Sequence, residues 1–166
     1  MAVDSQSYLA PRVPGLHAHT YGGTALCDWL PRMRAALDQE HPAAVVLVFS
    51  GNNSTPCVQG LTGQALTDRY KAGVDSVLTM LTSGHYAANL VLIRVPISRG
   101  EANKAFINGW TVAPSAYVYD AGSAVAPNQK YVDTLNGVRV RTPDGVHLTP
   151  AGSKIFAAAI ARKLGW

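Results

Sequence analysis

The sequence predicts a three-layer α/β/α domain built on a mainly parallel sheet of about five strands, and three observations predict it. Ala44-Val45-Val46-Leu47-Val48-Phe49 and Asn89 to Val95 are short apolar runs, the pattern of strands buried on both faces. Between them, Gln64 to Thr82 sets Leu66, Tyr70, Val74, Val77, Leu78 and Leu81 at three- and four-residue spacing, which makes one face of a helix. Strands alternating with amphipathic helices belong to sheets wound with helical crossovers, so the expected sheet is flavodoxin-like. At 166 residues the chain buries a substantial core as one domain, taken here as 1–166, and is too short for two ordinary ones.

The elements follow in order. Leu16 to Tyr21 mixes apolar and β-favouring residues and stops at Gly22-Gly23, which predicts a short strand. Asp28 to about Gln39 gathers Leu30, Met33, Ala36 and Leu37 on one helical face. After the buried strand at 44–49, a polar loop runs from Ser50 to about Gly63, and the long helix then ends at Ser83-Gly84. The second buried strand, 89–95, is followed by a short helix near Glu101–Asn108 and a strand over Ala116–Tyr119. Gly122 to Gly137 is irregular, because Tyr131, Val132 and Leu135 fit neither period. Val138-Arg139-Val140-Arg141 alternates like a short edge strand. The last helix takes Thr149 as N-cap and Pro150 at its first position, and runs to Leu164.

Composition narrows the function classes. Hydrophobic residues make up 48% and charged residues 14%, which describes a globular protein and excludes a disordered tail. The net charge is +4, with Lys and Arg scattered and no basic stripe carrying aromatics, so no nucleic-acid partner is expected. No apolar run approaches the roughly 18 residues of a membrane span, and no charged-then-apolar leader opens the numbered chain. Cys27 and Cys57 are expected in loops after strands, where two readings stay open: reduced thiols or a bridge. A bridge implies an oxidising, extracytoplasmic compartment; reduced thiols leave a cytoplasmic one.

The chemistry concentrates in Asp144-Gly145-Val146-His147, directly before the last helix. A carboxylate can orient an imidazole and stabilise its charged form, so that the imidazole serves as a base toward a hydroxyl. In open α/β sheets the site lies beyond the carboxyl ends of the strands. The loops at Ser5, Gly22-Gly23, Gly51-Asn52-Asn53 and Asp144–His147 are then expected along one rim.

Those four blocks, Asp4-Ser5, Gly23, Gly51-Asn52-Asn53 and Asp144-x-x-His147, resemble the SGNH (GDSL-type) hydrolase superfamily, which carries Ser, Gly, Asn and His in this order. The resemblance runs over nearly the whole chain. It implies Ser5 as nucleophile, His147 as general base and acid, and Asp144 as the group that orients His147. The oxyanion donors it implies are the backbone N–H groups of Ser5 and Gly23 and the side-chain amide of Asn52. Each role has a physical reason: a serine hydroxyl needs a base to become nucleophilic, and one preorganised oxyanion donor is worth ~10²–10³ in rate. Two positions and one element differ from the family pattern. Val3 stands where Gly is usual, Asn53 stands where Asp is usual, and the first strand is cut to Met1-Ala2-Val3.

The expected function is therefore hydrolysis of carboxylic esters, short-acyl or carbohydrate-linked, through an acyl-enzyme, without metal or cofactor and by a monomer. The stretch Phe106-Ile107-Asn108-Gly109-Trp110 and the polar loop near Gln59 are expected to flank the substrate groove, with Asn53 and Trp110 as substrate-binding residues. A glycan O-acyltransferase or deacetylase would use the same site with another acceptor. A non-catalytic binding module on this fold is the reading favoured by Val3 and the shortened start. His17 and His19 alternate like one face of an exposed strand, and His41 and His85 fall at helix ends.

Overall fold

The apolar run after Pro42 forms strand β1 (Ala44–Val48), paired in parallel with β2 (Asn89–Arg94) in the register Ala44↔Asn89 to Val48↔Ile93. The structure is a computed structural model that describes residues 2–99 and 108–166. Strand β3 (Tyr117–Asp120) completes a parallel three-stranded sheet in the order β1-β2-β3. With helices α1 (Ala2–Leu9), α2 (Leu26–Glu40), α3 (Gly63–Ser83) and α4 (Pro150–Leu164), the described residues make a mixed α/β protein compatible with α/β/α layering.

The sheet is smaller than the five strands expected, for three local reasons. Ala2–Leu9 is helical, so Ala2 and Val3 do not begin a first strand. Leu16 to Tyr21 alternates between half-buried and exposed residues as a strand would, yet joins no ladder. Thr20 is tied instead to α1, its hydroxyl donating to Gln6 at 2.6 Å. Finally, Val138 and Arg139 form β5 (Val138–Arg139), which pairs antiparallel with β4 (Thr134–Leu135) as a separate hairpin. The helix expected near Glu101–Asn108 lies, but for its last residue, outside the described residues.

The chain falls into two compact units. One comprises Gly23–Ile93 and Asn103–Val118. Here α3 buries Leu66, Tyr70, Val74, Val77 and Leu81, the face its spacing predicted. Asp28 caps α2 by accepting from the Ala25 N–H at 2.7 Å, and His41 closes it in the left-handed region at φ 44°. Cys27 sits in the first turn of α2 and not in a loop, and it is bridged to Cys57.

The other unit comprises Met1–Gly22, Arg94–Ala102 and Tyr119–Trp166. Its core is built from Val95, Ile97, Val125, Val140, Phe156 and Ile160, and α1 packs against α4. Helix α4 begins as its sequence dictates: Thr149 is the N-cap, its hydroxyl accepting from the Gly152 N–H at 3.1 Å, and Pro150 follows.

Candidate active site

The segment 141–148 is a loop closed at its base by an antiparallel bridge between Arg141 and Leu148. Within it the Gly145 N–H donates to the Thr142 carbonyl at 2.9 Å, and the Thr142 N–H donates to the His147 carbonyl at 3.0 Å. Gly145 adopts φ +70°, a left-handed turn that L side chains resist, and a Cβ there would come within 2.6 Å of the Arg99 Cβ. Arg99 also holds the loop from outside, its N–H donating to the Gly145 carbonyl at 2.9 Å and its Nη1 to the Pro143 carbonyl at 3.2 Å.

This loop aims four donors at one carboxylate. Asp144 Oδ1 accepts from the Thr142 hydroxyl at 2.6 Å, the Val146 N–H at 2.8 Å and the His147 N–H at 3.0 Å. Oδ2 lies 2.7 Å from His147 Nδ1. Together these hold the Asp144 carboxyl well below the usual carboxylate range, the imidazole contributing most, then the Thr142 hydroxyl and the two backbone N–H groups. An ionised carboxylate accepts only, so it selects the imidazole tautomer with the proton on Nδ1 and leaves Nε2 as the basic nitrogen. The imidazole side chain remains 60% exposed.

Helix α1 supplies the neighbouring hydroxyls. Ser7 and Tyr8 line a cavity of about 350 Å³ together with Thr142, His147, Leu148 and Pro150. Ser5 lies in the same helix and unit, but inside a helical turn and not at a strand exit, and it is only 2% exposed.

Gly23 and Asn52 belong to the other unit and are joined there, the Asn52 side-chain N–H donating to the Gly23 carbonyl. Asn52 Oδ1 accepts from the Ser54 hydroxyl at 2.7 Å and the Ser54 N–H at 3.3 Å. From α3, the Tyr70 hydroxyl donates to the Asn52 carbonyl at 2.8 Å. Burial, and secondarily the Asp28 charge, push that hydroxyl above its ordinary range, which keeps it a donor. Gly23 adopts φ +76° with open space where a Cβ would stand, so its glycine answers to backbone conformation and not to crowding. Asn53 is exposed.

Trp110 corrects an expectation. It is 0% exposed, with ring centroids 6.2 Å from Phe49 and 5.9 Å from Tyr70. Its indole fills the core of its unit, where an aromatic of that size has most area to bury, and forms no groove wall. Phe106 and Ile107 lie outside the described residues.

A family model described as a protein of unknown function (DUF459) matches residues 23–163. The chain belongs to the DUF459 family. No curated protein matches the chain. The DUF459 match takes in Gly23, Cys27, Asn52, Cys57, Asp144 and His147, and Ser5 precedes it. Among the described residues of this DUF459 chain, no cluster of His, Cys, Asp and Glu is arranged to hold a metal ion, and no helix is long and apolar enough to cross a membrane.

Sequence reasoning missed Thr142, Arg99, Tyr70 and the buried Arg141. For Thr142 a signal existed: a hydroxyl two residues before Asp144 sits where Ser and Thr commonly bond local acceptors. Arg99 and Tyr70 act on backbone carbonyls 44 and 18 residues away, and no spacing rule reaches that far.

Proposed function

We propose that this DUF459 chain is a serine esterase of the SGNH (GDSL) type, cleaving short-acyl or carbohydrate-linked carboxylic esters. The observation that carries the reading is the Asp144–His147 pair, an imidazole bonded through Nδ1 to a carboxylate that three further donors keep ionised. In the proposed reaction His147 Nε2 takes the proton from Ser5 Oγ as that oxygen bonds to the ester carbonyl carbon. Collapse of the tetrahedral intermediate breaks the bond to the leaving alkoxide, which receives the proton from His147. Water, activated by the same nitrogen, then releases the acid and restores Ser5. The resemblance assigns the oxyanion to the N–H groups of Ser5 and Gly23 and the amide of Asn52, with Asn53 at the substrate. The cavity of about 350 Å³ beside His147 suits a small group, acyl or sugar. The Cys27–Cys57 bridge favours an extracytoplasmic setting.

The test is a fluorophosphonate probe with the adduct mapped by mass spectrometry. The proposal expects labelling at Ser5 that disappears in His147→Ala; an adduct on Ser7, the hydroxyl lining the cavity, would move the nucleophile. One observation favours a second reading, a non-catalytic binding module: Ser5 is buried within a helix. No adduct, together with no turnover of short p-nitrophenyl esters, decides for that reading. Turnover that rises when a glycan acceptor is added would identify an O-acyltransferase, and acetate release from an O-acetylated glycan a deacetylase.

A further inference from the structure

Arg141 is a charged side chain at 0% exposure, although Arg is almost never fully buried without partners. Its guanidinium bridges two carbonyls, Nη1 donating to the Val146 carbonyl at 2.7 Å and Nη2 to the Ile97 carbonyl. Its Cζ also stands 5.7 Å from the centroid of the Tyr131 ring, which carries Arg99 at 5.5 Å. Tyr131 is in turn bonded to Asp133, the carboxylate that Arg99 pairs with at 2.8 Å.

The Val146 carbonyl and the His147 N–H are the two ends of one peptide group. Arg141 holds the oxygen end. Asp144 Oδ1 holds the N–H end at 3.0 Å. A peptide group is planar, so fixing both ends sets its plane and the place of the His147 Cα. The His147 carbonyl, which accepts from the Thr142 N–H at 3.0 Å, fixes the remaining rotation about N–Cα and with it the direction of the Cα–Cβ bond. The second branch of the fork carries that constraint to Ile97, just beyond β2, so the loop is referenced to a neighbouring segment of its unit and not only to itself. A rigid two-pronged donor is suited to bridging two carbonyls; a single ammonium is not.

We propose that Arg141 is the positioning residue for His147: it locks the Val146–His147 peptide so that Asp144 meets Nδ1. The proposal rests on the esterase reading only for what His147 does once positioned. Arg141 touches no reacting atom and acts through the peptide.

The test uses the full chain with ¹⁵N-labelled histidine, in which the His147 Nδ1–H resonance is identified by its loss in His147→Ala. In Arg141→Ala that resonance is expected to broaden away or give place to the other tautomer, and guanidinium ion at sub-denaturing concentration is expected to restore it. Hydrolysis of a short p-nitrophenyl ester should fall ~10²-fold in kcat, the scale of a small misplacement of a catalytic group, with KM little changed and the same rescue. A folded Arg141→Ala protein that keeps the wild-type resonance and rate overturns the proposal. So does a rate loss that follows only a lowered melting temperature and ignores guanidinium. If Arg141→Ala does not fold, Arg141→Lys decides: it is expected to lose the resonance, and retention refutes the assignment. If the wild-type protein hydrolyses no ester, the esterase reading fails, while the His147 resonance still judges Arg141.

Discussion

Asp144 shows how much one side chain can be asked to do. Its folded carboxyl ionises well below its unfolded value near 3.9. The stabilisation it supplies is therefore complete above that unfolded value and is lost as pH falls through the folded one. Urea unfolding of wild type and Asp144→Asn should accordingly show a stability gap that is constant from neutrality to about pH 5 and closes below it. On the esterase reading the same variant should lose ~10⁴ in kcat, as when a triad carboxylate becomes an amide and the imidazole tautomer changes. Tyr70→Phe probes the other unit. It removes the hydroxyl that donates to the Asn52 backbone carbonyl, and should cost about 1–1.5 kcal/mol in unfolding free energy without a change in fold. The Asp144–His147 pair was legible in the sequence as a carboxylate and an imidazole three residues apart in one loop. Arg141, Arg99 and Tyr70 were not, because they bind carbonyl oxygens, which every residue has.

Elements were legible where periodicity was long. Helix α3 and strands β1 and β2 fall within a residue or so of the bounds that hydrophobic spacing predicted, and α4 starts at the cap and proline that announce it. Short elements were decided by chemistry the periodicity did not contain. Asn136 and Gly137 take φ 50° and 79°, the left-handed pair of a tight hairpin turn, and this turn diverts Val138–Arg139 into β4–β5 instead of the main sheet. The start of α4 carries a testable constraint of the same local kind. A Cβ on Gly152 would lie 2.3 Å from the Val140 carbonyl oxygen, which already accepts the Thr149 N–H at 3.0 Å. Gly152→Ala gains about 1 kcal/mol of helix propensity. A backbone oxygen at that distance cannot yield as a side-chain tip would, and the overpacking should leave the variant about 1–3 kcal/mol less stable. Thermal melts of Gly152→Ala beside a solvent-facing control, Lys154→Ala, would read the difference.

At the scale of the molecule, the sheet among the described residues has three strands where about five were expected, because predicted strands are taken up locally: Ala2 and Val3 by α1, Thr20 by its bond to Gln6, and Val138–Arg139 by the hairpin. The cysteines show the opposite case, in which sequence left two readings and geometry chose. Placing both thiols in loops after strands was only half right, since Cys27 belongs to the first turn of α2, yet the bridge to Cys57 is made. It joins positions 30 residues apart and encloses β1 and the Asn52 turn. Closing a loop of that length removes unfolded-state entropy worth about 3.5 kcal/mol. Against a typical total stability of roughly 5–15 kcal/mol, the bridge is a large share of what keeps the chain folded. The double variant Cys27→Ser/Cys57→Ser should therefore lose about 3–4 kcal/mol in urea unfolding, and wild type in reducing buffer should lose the same amount. Intact mass after iodoacetamide treatment checks the premise: no adduct on the unfolded, unreduced chain, and two after reduction. Two adducts without reductant would show free thiols, and the contribution of the bridge to stability would then have to be withdrawn along with its compartment argument.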